Sequence, residues 1–307
     1  MVNSVLITGA NAGLGREVAR QLAAHDEVGR VVLACRNRAK AEATRDELVA
    51  STGRAIYDIV VLDTTDLSSV RSAAASLTDP VDALVMNAGG VGGQEPLRLT
   101  PQGATFVFAA NVLGHAALFE ALLAARTLTS AAVYVGSEAA RGVPKLMIKR
   151  PTFPTSSTEE FVSVIDGTYY RDHKLNVMFA YAQVKYLAAL WMGAVARRHP
   201  ELRCVTISPG NTTGTEASEE MPLRERILMR HVMPRIGPIL GISHPLEVGA
   251  QRLVDGITQD RYRDGIFYAS PGAGVTGPLA DQASLRPDFA DPTIQDNASD
   301  AISCRDR

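Results

Sequence analysis

"SVLITGANAGLGREVARQL" occupies residues 4–22, and how it is read decides the fold. Its first five residues are nearly all apolar or β-branched, the mark of a strand buried on both faces. The residues from Leu14 onward carry a helical apolar stripe. Between the two, Gly9, Gly13 and Gly15 are spaced G-x-x-x-G-x-G. Without side chains there, the backbone can turn sharply and a pyrophosphate can approach the helix N-terminus, whose free N–H groups and dipole favour an anion. A glycine pattern alone is a weak signal. At the first strand–helix turn of a βαβ unit it points to a bound dinucleotide.

Working outward, the same alternation continues. Strand-like runs occur at 30–35, 56–63, 82–87, 131–136, 203–208 and 265–269, and helical patterns at 14–24, 37–51, 67–77, 101–126, 179–198 and 246–258. Alternating apolar strands and helices predict a doubly wound α/β fold: one Rossmann domain over 1–270, its seven-stranded, mostly parallel sheet covered by helices on both faces. Two connections, 141–178 and 211–245, are long for a compact domain and follow the C-terminal ends of strands, where open α/β sheets bind ligands. Residues 271–307, rich in Pro, Gly and Asp, read as a partly disordered surface tail.

Composition excludes several classes. Hydrophobic residues make up 46% and charged residues 21%, enough for a sizeable core, and the net charge of −2 offers no field for nucleic acid. Cys35, Cys204 and Cys304 show neither a disulfide framework nor a zinc spacing. His173 and His231 match no metal spacing either, so no metal is expected. The start of the chain lacks a signal-peptide pattern, and no apolar run looks long enough to span a bilayer. A cytoplasmic location is the expectation.

The end of the second strand carries Arg36, with Arg38 and Lys40 close behind. A fold that holds NAD often has a carboxylate at this point for the ribose 2′-hydroxyl. A guanidinium suits a 2′-phosphate instead, so NADP(H) is the expected cofactor. The plainer alternative is a set of solvated cations at a helix start. Asp63, ending the third strand, is placed to accept from an adenine amino group or to cap the next helix, for which Asp66 lies nearer. Asn87, Ala88 and Gly89 let the chain pass close beside an adenosine ribose.

Two tyrosines have a lysine one helical turn later: Tyr170 with Lys174, and Tyr181 with Lys185. Tyr181 heads an amphipathic run able to hold phenol and ammonium on one face, whereas Tyr170 follows a turn-forming Asp-Gly. Tyr181 is therefore the expected acid–base residue, and Tyr170 a surface or substrate-facing aromatic. A phenol is a poor base at neutral pH unless a nearby cation favours its ionised form.

Together these pieces resemble the short-chain dehydrogenases/reductases, and within them the retinol dehydrogenase and protochlorophyllide reductase branches. The resemblance spans about residues 3–270 and rests on "TGANAGLG" at 8–15, Asp63, "NAG" at 87–89, Asn111, Ser137, "YAQVK" at 181–185, and Pro209 with Gly210. It implies that Asn111, Ser137, Tyr181 and Lys185 are catalytic. Ser137 would polarise the substrate oxygen, Lys185 would grip the nicotinamide ribose, and Asn111 would hold a water linking Lys185 to solvent. It implies a cofactor site of Gly9, Asn11, Gly13, Leu14, Gly15, Arg36, Asp63, Asn87, Ala88, Gly89, Tyr181, Lys185, Pro209, Gly210 and Thr212. Ser137 as a helix cap and Asn111 as a buried hydrogen-bonding residue are the structural alternatives. His115 reads as a packing or surface residue.

The chain departs from the family pattern in three places. Ser137 and Tyr181 are 44 residues apart, which makes 141–178 an insertion beside the substrate site. Val184 stands where those branches commonly have serine. Gly214 stands where a threonine is expected, with Thr212, Thr213 and Thr215 nearby. The second connection mixes Met, Ile and Leu with Arg224, Arg226, Arg230 and Arg235, as an apolar lid would, although Pro234 and Pro238 interrupt any long membrane-lying helix. The expectation is an NADP(H)-dependent oxidoreductase acting on the carbonyl or alcohol of a fairly large apolar small molecule. Its alternatives are a protochlorophyllide-type C=C reductase and a non-catalytic NADP(H) sensor. Nucleic acid and a firm membrane anchor are not expected as partners. A homodimer through the helices of Asn111 and Tyr181 is the family's frequent pairing.

Overall fold

The computed structural model describes residues 2–171, 176–213 and 241–304. In chain order it contains β1 (Ser4–Thr8), α1 (Gly13–Leu22), β2 (Arg30–Cys35), α2 (Arg38–Thr52), β3 (Tyr57–Val61), α3 (Leu67–Ser76), β4 (Val81–Met86), α4 (Phe106–Ala124) and β5 (Leu128–Val135). There follow α5 (Thr158–Ile165), α6 (Val177–Arg198), β6 (Arg203–Ile207), α7 (Leu246–Thr258), β7 (Phe267–Ala269), β8 (Ala280–Asp281) and α8 (Pro292–Ser303).

The sheet order is β3-β2-β1-β4-β5-β6-β7-β8. β1 to β7 run parallel, and β8 closes the edge antiparallel to β7. Eight strands rather than seven form the sheet; the extra one is only two residues long, too short to leave an apolar pattern. Strand alternation sends Val5 and Ile7 of β1 into the core under α1, α2 and α7, and Leu6 into the core under α3, α4 and α6. Both faces are buried, which explains the near-continuous apolar strands. Strand order reverses between β1 and β4, opening the crevice where such sheets take ligands.

The segment past Ser270 is not the loose surface tail that its composition suggests. Asp291 caps α8, accepting from Thr293 N at 2.8 Å, and Pro292 opens the helix. Ala298, Ala301 and Ile302, at helical spacing, are buried. α8 packs on α6 where Gly193 makes room for Gln295. Helical spacing outweighs the Pro and Asp content that suggested disorder.

α4 corrects another expectation: Phe106–Ala124 is long and apolar enough to cross a membrane by length and composition. Here it is a core helix, 72% buried over its most apolar window. Its residues Ala109–Leu113 form a π-helical turn around Asn111. Within the first long connection, α5 packs on α6 and α8, and Phe153 stacks on Tyr186 at 5.4 Å. Most of the second, residues 214–240, lies outside the described residues, and with it the arginines, prolines and apolar residues read as a lid.

Candidate active site

The glycine turn is built by crowding. Gly9 takes φ +66°, and its N–H donates to Ala34 O at 2.8 Å. A Cβ on Gly15 would lie 2.5 Å from Gly9 O and 2.6 Å from Asn87 Nδ2. Asn87, at the end of β4, donates from Nδ2 to Thr8 O at 2.9 Å and Gly9 O at 3.3 Å, which fixes the turn from the neighbouring strand. α1 starts after Ala12 without a side-chain cap, so its first N–H groups are left for an anion. Half-buried Asn11, Gly13 and Leu14 line this start, and Gly249 of α7 brings Thr212 and the Pro209 carbonyl close to Leu14. Arg36 is exposed beside the turn, whereas Arg38 pairs with Glu42 at 3.7 Å. Asp63 accepts from Thr65 N at 2.9 Å and Thr65 Oγ1 at 2.7 Å, while Asp66 is the cap of α3. These residues fit a dinucleotide whose pyrophosphate meets α1 and whose adenosine end lies between β2 and β4.

Ser137 follows β5, and Tyr181 and Lys185 sit one turn apart on α6. Ser137 does two things at once: it caps a short 3-10 turn, accepting from Ala139 N at 3.2 Å, and its hydroxyl lies near enough to the Tyr181 phenol to favour the ionised form. Tyr181 is partly open to the cleft. Burial pushes its phenol up to about 12, with the Ser137 hydroxyl pulling down and Glu138 pushing up. Lys185 follows Tyr181 one helical turn later, as the i, i+4 spacing predicts. Burial drops that ammonium to about 7, and its Nζ lies 5.7 Å from the Tyr181 ring centroid. Lys185 Nζ donates instead to Tyr134 Oη at 3.1 Å and to Val135 O at 2.9 Å.

Asn111 is buried and its side chain is fully engaged. Its Nδ2 donates to Gly90 O at 2.8 Å and Val107 O at 2.7 Å, and its Oδ1 accepts from Gly90 N at 3.2 Å. The π-turn leaves its main-chain carbonyl to side chains: Tyr134 Oη donates to it at 3.0 Å, and His115 Nδ1 lies 2.8 Å away.

Sequence reasoning passed over Tyr134, a buried aromatic three residues before Ser137 whose only signal was a phenol on an otherwise aliphatic strand end. It also missed a charged knot on the other side of Ser137. Glu138 accepts from the hydroxyls of Ser208 and Ser270 and lies 3.7 Å from Arg252 Nη1. Arg141, also buried, donates to Ser270 O at 3.2 Å. Tyr170 is not at the surface. It is buried with Val164 and Ala180, and its hydroxyl donates to Gln183 Oε1 at 2.9 Å. His115 is buried, not at the surface. Lys174, His173, His231, Gly214 and Thr215 lie outside the described residues.

Comparison with known proteins agrees with this fold. The family model described as short chain dehydrogenase matches residues 3–147. A short-chain dehydrogenase/reductase of Armillaria gallica is 31% identical over 220 residues, 67% of this chain and 64% of that one. Retinol dehydrogenase 13 of Homo sapiens is 35% identical over 123 residues, 39% of this chain and 36% of that one. The chain thus spans between about a quarter and two thirds of the curated relatives it matches. Salutaridine reductase from Papaver somniferum shares the fold with a TM-score of 0.64 at 17% identity, over 87% of this chain and all of that one. Over two thirds of its length the chain is thus similar to a short-chain dehydrogenase/reductase, and over residues 3–147 it matches that family's model.

Proposed function

We propose that the protein is an NADP(H)-dependent reductase of a carbonyl group on a fairly large apolar small molecule, with Tyr181 as proton donor. One observation carries this reading: the Tyr181 phenol on α6 and Ser137 after β5 stand at the same sheet edge as the uncapped start of α1. With its pKa near 12, Tyr181 is protonated at neutral pH, which makes it an acid for reduction more readily than a base for oxidation. A bound reduced nicotinamide supplies the hydride. Ser137 holds the substrate oxygen, and Tyr181 delivers a proton to that oxygen as it gains charge. Lys185, behind Tyr181, offers a cation to the phenolate left by that transfer. Exposed Arg36 supports NADPH, because a guanidinium beside the turn attracts a 2′-phosphate. The anchoring of 141–178 next to Ser137 supports a bulky substrate.

The test is a panel of ketones, aldehydes and enones assayed with NADPH and NADH. NADPH-driven ketone or aldehyde reduction is expected, with Arg36→Ala losing roughly 10–100-fold of the preference for NADPH. Turnover of enones alone, or only under illumination, would replace carbonyl reduction by C=C reduction. Calorimetry showing no binding of either nucleotide would end the proposal.

A further inference from the structure

Lys185 and the Asn111 carbonyl do not meet directly; the Tyr134 hydroxyl lies between them. It accepts from Lys185 Nζ at 3.1 Å and donates to Asn111 O at 3.0 Å, while the ammonium also sits 4.7 Å from the Tyr134 ring centroid. The chain of bonds continues inward. His115 Nδ1 is 2.8 Å from the same Asn111 carbonyl, and His115 Nε2 is 2.9 Å from Thr8 Oγ1. Thr8 Oγ1 accepts from Asn87 N and Ala88 N, each at 2.9 Å. Because the Asn111 carbonyl can only accept, Nδ1 keeps its proton and Nε2 is an acceptor; the Thr8 hydroxyl proton goes to it at 2.9 Å rather than to Val85 O at 3.4 Å, and every link is satisfied by one set of protons. The series ends on a carbonyl that has no proton to pass on. It is an anchor rather than a proton conduit.

We propose that Tyr134 is a positioning residue whose hydroxyl takes the place of the water expected between Asn111 and Lys185, tying the lysine ammonium to the glycine turn. The proposal rests on Tyr181 and Lys185 being the acid–base pair. Apart from Tyr134 on β5, the ionisable groups facing Lys185 among the described residues are His115 on α4 and Tyr181 on α6, with Glu138 beyond Tyr181. Neither tyrosine nor the neutral histidine supplies a counter-charge at neutral pH. The hydroxyl and the Val135 carbonyl therefore stabilise the ammonium through hydrogen bonds alone.

The experiment is a pH titration of the full chain carrying carbon-labelled lysine, with the Lys185 signal identified by its loss in Lys185→Ala. Tyr134→Phe is expected to lower the Lys185 midpoint by about one pH unit. Trp191→Phe, altering a ring 6.4 Å from the Tyr134 ring but not its hydroxyl, is expected to leave the midpoint in place. A midpoint unmoved in a folded Tyr134→Phe protein, or moved equally by Trp191→Phe, overturns the proposal. If Tyr134→Phe does not fold, the unaltered protein decides. Slow exchange of the Tyr134 hydroxyl proton should split its Cζ signal in mixed light and heavy water, and a single averaged signal overturns the proposal. None of these readouts needs turnover, so they fail separately from the assignment of Tyr181.

Discussion

On one side of Ser137, Lys185 is buried among neutral partners; on the other, Glu138 is buried between arginines and hydroxyls. The first centre holds a cation with no anion, and burial alone drops the ammonium to about 7. The second distributes its charge over Arg252, Arg141, Ser208 and Ser270. An unpaired buried charge is costly and easily titrated, so it survives where chemistry needs it. A paired and fully hydrogen-bonded charge fixes geometry instead, here joining β6, α7 and the chain after β7 behind the site. The same substitution should therefore act oppositely in the two centres.

The largest effect is expected from Lys185→Met. Turnover should fall about 10²–10⁴-fold, whereas thermal or denaturant unfolding should show a gain of roughly 1–3 kcal/mol near neutral pH. The sign follows from proton binding. Lys185 titrates near 7 when folded and near its ordinary 10.5 when unfolded, so the unfolded chain holds more protons between those values. Stability rises with pH through that window, and the Met variant should lose the rise. Arg252→Met should do the reverse, costing about 3–5 kcal/mol by leaving Glu138 short of its closest cation. Equal losses from both variants would erase the distinction between the centres.

Acid separates them next. Burial drops His115 to about 4 from its ordinary 6.5, so the unfolded chain binds the extra proton between those values. Stability should fall by about 3 kcal/mol as pH drops from 6.5 to 4, and His115→Asn should flatten that slope in denaturant titrations. The smallest effect belongs to Tyr170→Phe, which removes one buried hydrogen bond to Gln183. A loss of about 1 kcal/mol with unchanged turnover is expected. A large loss of turnover would return Tyr170 to the site.

The glycine turn and the mostly parallel sheet buried on both faces were legible because each leaves a local trace: glycine spacing and all-apolar strands. Tyr134 and Glu138 were not. Their partners are 23 and 70 residues away in sequence, at Asn111 and Ser208, and the contact exists only once the sheet has formed. The spacing of Tyr181 and Lys185 placed them one turn apart, but could not show that Tyr134 and the Val135 carbonyl hold the lysine's end. Spacing sets which face a side chain takes, not which hydrogen bonds capture its end. α8 was hidden differently, since a compositional reading of residues 271–307 averages a capped, amphipathic helix with the loop before it.

The most direct test of the account is Tyr181→Phe, assayed with NADPH on whichever carbonyl substrates the unaltered protein reduces. NADPH binding measured by calorimetry should stay within a few-fold of the unaltered protein, while turnover falls about 10²–10⁴-fold. Undiminished turnover with intact binding would contradict the assignment of Tyr181 as the proton donor.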